Sequence, residues 1–258
     1  MRLAFVLVFL AAAATAPAET TWTPLAPADA GTRGVPSHRI YNGQPTSDFP
    51  AVAGLVVFRS DGAVGLCSAT LIADGVLVTA AHCFQGSPRR AVAAFFPDGV
   101  TEVDYDAAAY AIHPQFDIDV LARADVALVA LTASVAGVTP MPLARARPRA
   151  RTQATIVGYG RDQNGSSGAK EMGTVRLKAC PRTFPLAGIE RGQLAGSLCW
   201  RPKKRGQDTC QGDSGGPLVV RGAVAGVTSG GYPACPGKLS WDTSIAAYRR
   251  WIDDALQQ

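Results

Sequence analysis

From Ile40 onward, apolar residues come in short runs, each closed by glycine, aspartate or a polar cluster. AVAGLVVF (Ala51 to Phe58) and AVGLCSATLI (Ala63 to Ile72) flank the turn RSDG, and GVLVTAA follows the turn ADG. DVALVAL, ATIVGYG and the hairpin-like PLVV-RG-AVAGVTS come later. Many short strands at regular spacing, punctuated by turn residues, predict an all-β barrel or sandwich. One segment has helical spacing instead. Ile245, Tyr248, Ile252 and Leu256 recur behind a Thr243/Ser244 cap, which predicts a C-terminal helix. Upstream of Ile40, ETTWTPLAPADAGTRGVPSHR is rich in Pro, Ala, Thr and Gly without periodicity, and predicts a flexible pro-segment or linker. No internal repeat stands out.

Composition narrows this. A chain of 258 residues, 47% hydrophobic and 17% charged, can bury a proper core and is not disordered. The net charge of +5 is spread widely, with clusters RARPRAR (Arg145 to Arg151) and RPKKR (Arg201 to Arg205). These read as solvated loops, because no aromatic interleaving or nucleic-acid reading motif accompanies them. The first residues, MRLAFVLVFLAAAATAPAET, have an early arginine, a short apolar run and the small-residue sequence Ala16-Pro17-Ala18. That is a secretory signal over residues 1–18, too short to span a bilayer, and it predicts an exported protein, secreted or periplasmic, with no membrane contact in its mature form.

Export changes how six cysteines read. Cys67, Cys83, Cys180, Cys199, Cys210 and Cys235 form an even set in an oxidising compartment, which favours three disulfides. Counting leaves 15 pairings open. With no C-x-x-C pair and three histidines, no metal and no cofactor are expected.

The chemistry concentrates in QDTCQGDSGGP, Gln207 to Pro217. Ser214 sits among glycines beside an aspartate, and a serine hydroxyl needs a neighbouring base to act as a nucleophile. Histidine is the natural base near neutral pH. His38 lies in the pro-segment and His113 reads as a structural loop residue. His82, in VLVTAAHC, follows an apolar strand beside two small residues and a cysteine. A base also needs an orienting carboxylate. RADVALVAL supplies Asp125 at the mouth of an apolar strand, where an unpaired acid would be costly.

LVTAAHC, ADVALVAL and DTCQGDSGGP, in that order, resemble the trypsin/chymotrypsin-type serine peptidase family over the chain from about Arg39 to the end. The resemblance implies two packed six-stranded antiparallel Greek-key β-barrels with a C-terminal α-helix, about 40–145 and 146–258. It implies Ser214 as nucleophile, His82 as general base, Asp125 as its orienting carboxylate, and an oxyanion hole from the N–H groups of Gly212 and Ser214. Ser229 would support Asp125. The implied disulfides are Cys67–Cys83, Cys180–Cys199 and Cys210–Cys235. Cleavage between Arg39 and Ile40 would create an α-amino group to pair with Asp213, so residues 19–39 would be an activation segment cut by another protease or by the enzyme itself. Asp208, beside Thr209, would form the floor of the primary pocket, with Ser229, Gly231 and Ser240 in its walls, implying protein or peptide substrates cut after Arg or Lys.

The chain also departs from the family pattern. The new terminus would read Ile40-Tyr41-Asn42-Gly43. Gly230 stands where a tryptophan is usual, which predicts a more open cleft wall. Asp242 stands where an aromatic is common and reads as a locally hydrogen-bonded acid. A catalytically silent binding protein on the same fold is the alternative reading. An esterase of another fold shares only the G-x-S-x-G pattern.

Overall fold

The computed structural model describes residues 20–26, 40–117, 119, 123–161, 170–181, 193–202, 206–232 and 234–258. The elements in chain order are β1 (Thr23–Pro24), β2 (Gln44–Pro45), β3 (Val52–Arg59), β4 (Val64–Ala73), β5 (Val76–Thr79), β6 (Pro88–Phe95), β7 (Val103–Ile112), β8 (Ala127–Leu131), β9 (Gln153–Gly158), β10 (Glu171–Lys178), β11 (Ser197–Trp200), β12 (Pro217–Val220), β13 (Ala223–Gly231), β14 (Ser240–Ser244) and the helix α1 (Ile245–Ala255).

Two antiparallel sheets close on themselves. The first ring runs β3-β4-β5-β8-β7-β6 and returns to β3, with β1 added outside on β7. The second runs β9-β10-β11-β14-β13-β12 and returns to β9, with β2 added on β10. In both rings, consecutive members pair in the same order: first, second, third, sixth, fifth, fourth. The molecule is thus a structural duplication that its sequence does not display as a repeat. Closure leaves few free edges, which suits a chain of short strands.

Local sequence explains the corners. Arg221 and Gly222, at φ of 52° and 76°, make the two-residue link between β12 and β13, where both positions take the left-handed conformation that matches strand twist. Gly75, at φ of 64°, turns the chain between β4 and β5. Apolar residues of both barrels fill the interior, with Leu55, Leu71, Leu77 and Leu128 in the first and Ile156, Leu177, Leu198 and Leu218 in the second. On α1, Ile245 and Ile252 are buried and Tyr248 half-buried, as the spacing predicts, and Trp251 joins them. Ser244 occupies the N-cap position without making a side-chain capping bond.

The pro-segment departs from expectation. Thr20 to Ala26 are not a flexible lead-in. They lie along the first barrel, with Leu25 in its core. Arg39 and residues 1–18 lie outside the described residues.

Candidate active site

The site lies where the two barrels meet. β5 runs out through Ala80 into a single 3-10 turn, Ala81–Phe84, which carries His82. The Cys67–Cys83 disulfide ties that turn to β4. Asp125 lies two residues before β8, the strand paired with β5. Its carboxylate, wholly buried, accepts the His82 backbone N–H at 2.9 Å and faces His82 Nδ1 at 2.8 Å. Ser229 Oγ, on β13 of the other barrel, donates to the same carboxylate at 2.6 Å. A buried anion is tolerable only when its lone pairs are satisfied in this way. Burial pulls the His82 imidazole down, and Arg59 adds to that. The charge and hydrogen bond of Asp125 outweigh both and leave it raised above 6.5. Cys67, His82 and Cys83 are close enough to suggest a metal set, but both sulfurs are locked in the disulfide.

Ser214 lies on the turn before β12. Its carbonyl accepts the Ser68 N–H at 2.7 Å and lies 3.8 Å from Cys83 Sγ, beside His82. The turn is held from several sides. Ser68 Oγ donates to Gly212 O at 3.0 Å and accepts the Tyr159 N–H at 3.0 Å. Asp213 N–H bonds Cys210 O, and Gly215 N–H bonds Thr228 O. The N–H groups of Gly212 and Ser214 have no acceptor among the described residues. Gly212 adopts φ of 96° and Gly215 φ of 84°, conformations that favour glycine. Gly215 has no room for a side chain either, since a Cβ there would fall onto Ser68 O and Thr79 Oγ1.

Behind this turn, Asp208 is buried and held by Ser240 Oγ at 2.6 Å, the Thr209 N–H at 2.9 Å and the Gly237 N–H at 2.7 Å. Burial nonetheless pushes its carboxyl up. Gly231 lies opposite Ser240 across the β13–β14 pair, and the Cys210–Cys235 disulfide joins the two loops around them. The backbone of Asp208 exchanges hydrogen bonds with Tyr41, so the segment after Ile40 is stitched to the pocket floor. Ile40 is fully buried against the second barrel, and Asn42 takes a φ of 52°.

Asp213, next to Ser214, is also fully buried. Its carboxylate accepts the N–H groups of Gly160 at 2.6 Å and Cys210 at 2.8 Å, and no cationic side chain pairs with it among the described residues. Burial, with Asp208 and Glu171 adding, holds it well above the usual carboxylate range. Gly158 and Gly160 make this approach feasible, because a Cβ at either would run into the Asp213 carboxylate.

The family model Trypsin matches residues 40–252 of the chain. The chain belongs to the Trypsin family. Similar proteins include a trypsin of Phaedon cochleariae, 30% identical over 74% of this chain and 79% of that protein, and a trypsin of Sus scrofa, 30% identical over 74% and 85%. Kallikrein-9 of Homo sapiens is 31% identical over 74% and 81%. Among solved structures, HL collagenase superposes with a TM-score of 0.73 at 24% identity, over 85% of this chain and 99% of that one, which speaks to the fold alone. This trypsin-family chain is a serine endopeptidase of trypsin-like type.

Three features of this trypsin-family site differ from the sequence reading or escape it. At Gly230, which is half-buried, the buried indole of Trp241, its partner on β14, lies where a Cβ would meet it, a cross-strand contact the sequence does not announce. Asp242 is not locally hydrogen-bonded, since neither of its oxygens has a partner in bonding geometry. Burial, offset in part by Thr228 across the strand pair, holds its carboxyl well above the usual range. Ser68 and Gly237 were not foreseen. Ser68 is flagged only by its place beside Cys67, and Gly237 acts through its backbone, which no side-chain motif reveals. His113 packs against Tyr248 and Trp251 with ring centroids 4.9 and 5.0 Å away, the structural role read for it.

Proposed function

We propose that this protein is a secreted zymogen that, once cut between Arg39 and Ile40, hydrolyses protein chains after Arg and Lys through Ser214, His82 and Asp125. The observation that carries the reading is the buried Asp125 carboxylate, bonded to both nitrogens that His82 can offer it and to Ser229. Held by Nδ1–H, the imidazole presents Nε2 as a base. It takes the Ser214 proton as Oγ attacks the scissile carbonyl. The oxyanion then meets the unoccupied N–H groups of Gly212 and Ser214. His82 returns the proton to the leaving amine, and water resolves the acyl-enzyme by the same steps.

Asp208 sets what is cut. A buried carboxylate whose protonation is favoured by burial gains most from a cation, and a substrate Arg or Lys side chain brings one. Arginine suits it better, because its planar fork bonds a carboxylate at two points. Asp213 has the same need, and the α-amino group of Ile40 is its natural partner once the chain is cut. Forming that pair orders the loop from Cys210 to Ser214, so proteolysis switches the enzyme on. Arg39 itself satisfies the proposed specificity, which admits self-activation. Three disulfides and a lead segment of signal type support an extracytoplasmic protein. No helix among the described residues is long and apolar enough to cross a membrane.

A peptide-library cleavage profile of the form beginning at Ile40 tests this. Cuts after Arg, then Lys, are expected. A profile led by Phe, Tyr or Leu overturns the role given to Asp208.

A further inference from the structure

The proposed activation cut raises the question of what becomes of the segment before it. Thr23 and Pro24 lie antiparallel to β7, opposite Tyr110 and Ala109. The Leu25 N–H donates to Ala108 O at 2.9 Å, and the Ala26 N–H to Arg89 O at 2.8 Å. Pro24, which has no N–H to give, occupies an added outer strand, the place a sheet tolerates proline. Leu25 is only 9% exposed and belongs to the core cluster of the first barrel, and Trp22 packs against that cluster from outside. The docking surface lies beside the site: Tyr110, opposite Thr23, stacks on Phe84 at 4.5 Å, and Phe84 is in the same 3-10 turn as His82.

No cysteine precedes Cys67, and all six are paired within the rest of the chain. A cut after Arg39 therefore severs the last covalent link to the segment. Residues 27–39 separate the docked strand from that cut, so Ile40 can engage Asp213 without drawing Leu25 out of the core.

We propose that the activated enzyme is a two-chain molecule, in which Thr20 to Ala26 remain as a non-covalent strand of the first barrel, bracing the turn that carries His82. The cut is taken from the function proposed above. The docking is not, and rests on the strand pairing and on the burial of Leu25. Backbone hydrogen bonds supply part of the affinity and the leucine pocket supplies selectivity, as in other cases of strand addition. Losing the segment would expose apolar core and leave that stretch of β7 without its outer partner.

Native mass spectrometry and gel filtration of the cut enzyme test this. Peptide 19–39 should co-elute with the large chain, separate from it in denaturant, and leave a less thermally stable, less active chain behind. A peptide that departs in native buffer at micromolar concentration, with melting temperature and turnover unchanged, overturns the proposal. A second protein, Arg39→Gln with the site of an unrelated protease introduced within residues 31–36, separates the two claims. If the wild-type chain is never cut after Arg39, the activation reading fails, while the nicked variant still reports whether the strand stays. Rebinding of a labelled synthetic peptide of residues 19–39 to the stripped large chain gives a readout that needs no new fold. Its Leu25→Ala version should bind at least about 30-fold more weakly, the loss expected for truncating a buried leucine. Equal binding of the two peptides overturns the role given to Leu25.

Discussion

Replacing Asp125 with asparagine removes one charge and keeps the shape. In the structure its carboxylate accepts from His82 Nδ1, from the His82 backbone N–H and from Ser229 Oγ. An asparagine oxygen can keep some of these bonds, but its amide nitrogen must donate. If it donates to Nδ1, the imidazole proton moves to Nε2, and the ring can no longer take the proton of Ser214. Two consequences follow. Turnover should fall about 10,000-fold, the effect known for this substitution in the family's reference enzyme, which corresponds to about 5 kcal/mol in the barrier. The pH profile should also move. His82 is raised above 6.5 only because Asp125 outweighs burial, so without that charge burial prevails. The base must be neutral to work, and the acid limb of the residual kcat/KM profile should shift to lower pH. Steady-state kinetics on an arginyl peptide from pH 5 to 9, with melting temperatures alongside, measure both. Near-normal turnover, or an acid limb that stays in place, would refute the role of Asp125.

Asp208→Ser should abolish cleavage after Arg, a loss of at least about 100-fold in kcat/KM for removing one partner of a buried charge pair, while Ser214 still reacts with small acylating probes; retained cleavage after Arg moves the pocket floor elsewhere. An Arg39→Gln precursor should remain uncut and nearly inactive, and N-terminal sequencing of the active wild-type form should begin Ile-Tyr-Asn-Gly; full activity in the uncut variant sinks the switch. The Asp242 carboxyl is raised by burial, so it stabilises the fold when protonated, and that contribution is lost as pH rises from 3.8 through its raised folded value. Asp242→Asn should therefore unfold less readily than wild type at neutral and alkaline pH, read by denaturant titration, and a variant less stable than wild type there contradicts an unpartnered acid. His113 runs the other way: burial lowers it to about 4, so its contribution is present above 6.5 and lost as pH falls towards 4, and replacing it with glutamine should flatten that acid loss in the same titrations.

The parts of the molecule that were legible from sequence are those with a local signature. Aliphatic β3, β5, β8 and β9 are continuous runs, the Arg221-Gly222 link is a turn of fixed geometry, and α1 has its apolar stripe. β6 and β7 were not legible, because PRRAVAAF and VDYDAAAYAI owe their place to barrel closure, and their alanines favour helix when read alone. Tertiary pairing with β3 and β8 overrides that preference. His82, Asp125, Ser214 and Ser229 stand out because motifs carry them, although they come from four separate stretches that only the packed barrels unite. What sequence could not convey was reciprocity between strands: the indole of Trp241 filling the space at Gly230, the missing partner of Asp242, and the docking of Leu25 on the first barrel. None of these is carried by a local motif.

The chemistry turns on one nucleophile, and it can be read in one experiment. The form beginning at Ile40 is treated with diisopropyl fluorophosphate, weighed intact, and mapped by peptide fragmentation. A single adduct on Ser214 is expected, forming far more slowly in His82→Ala. A folded protein that takes up no label, or carries it on a residue other than Ser214, contradicts it.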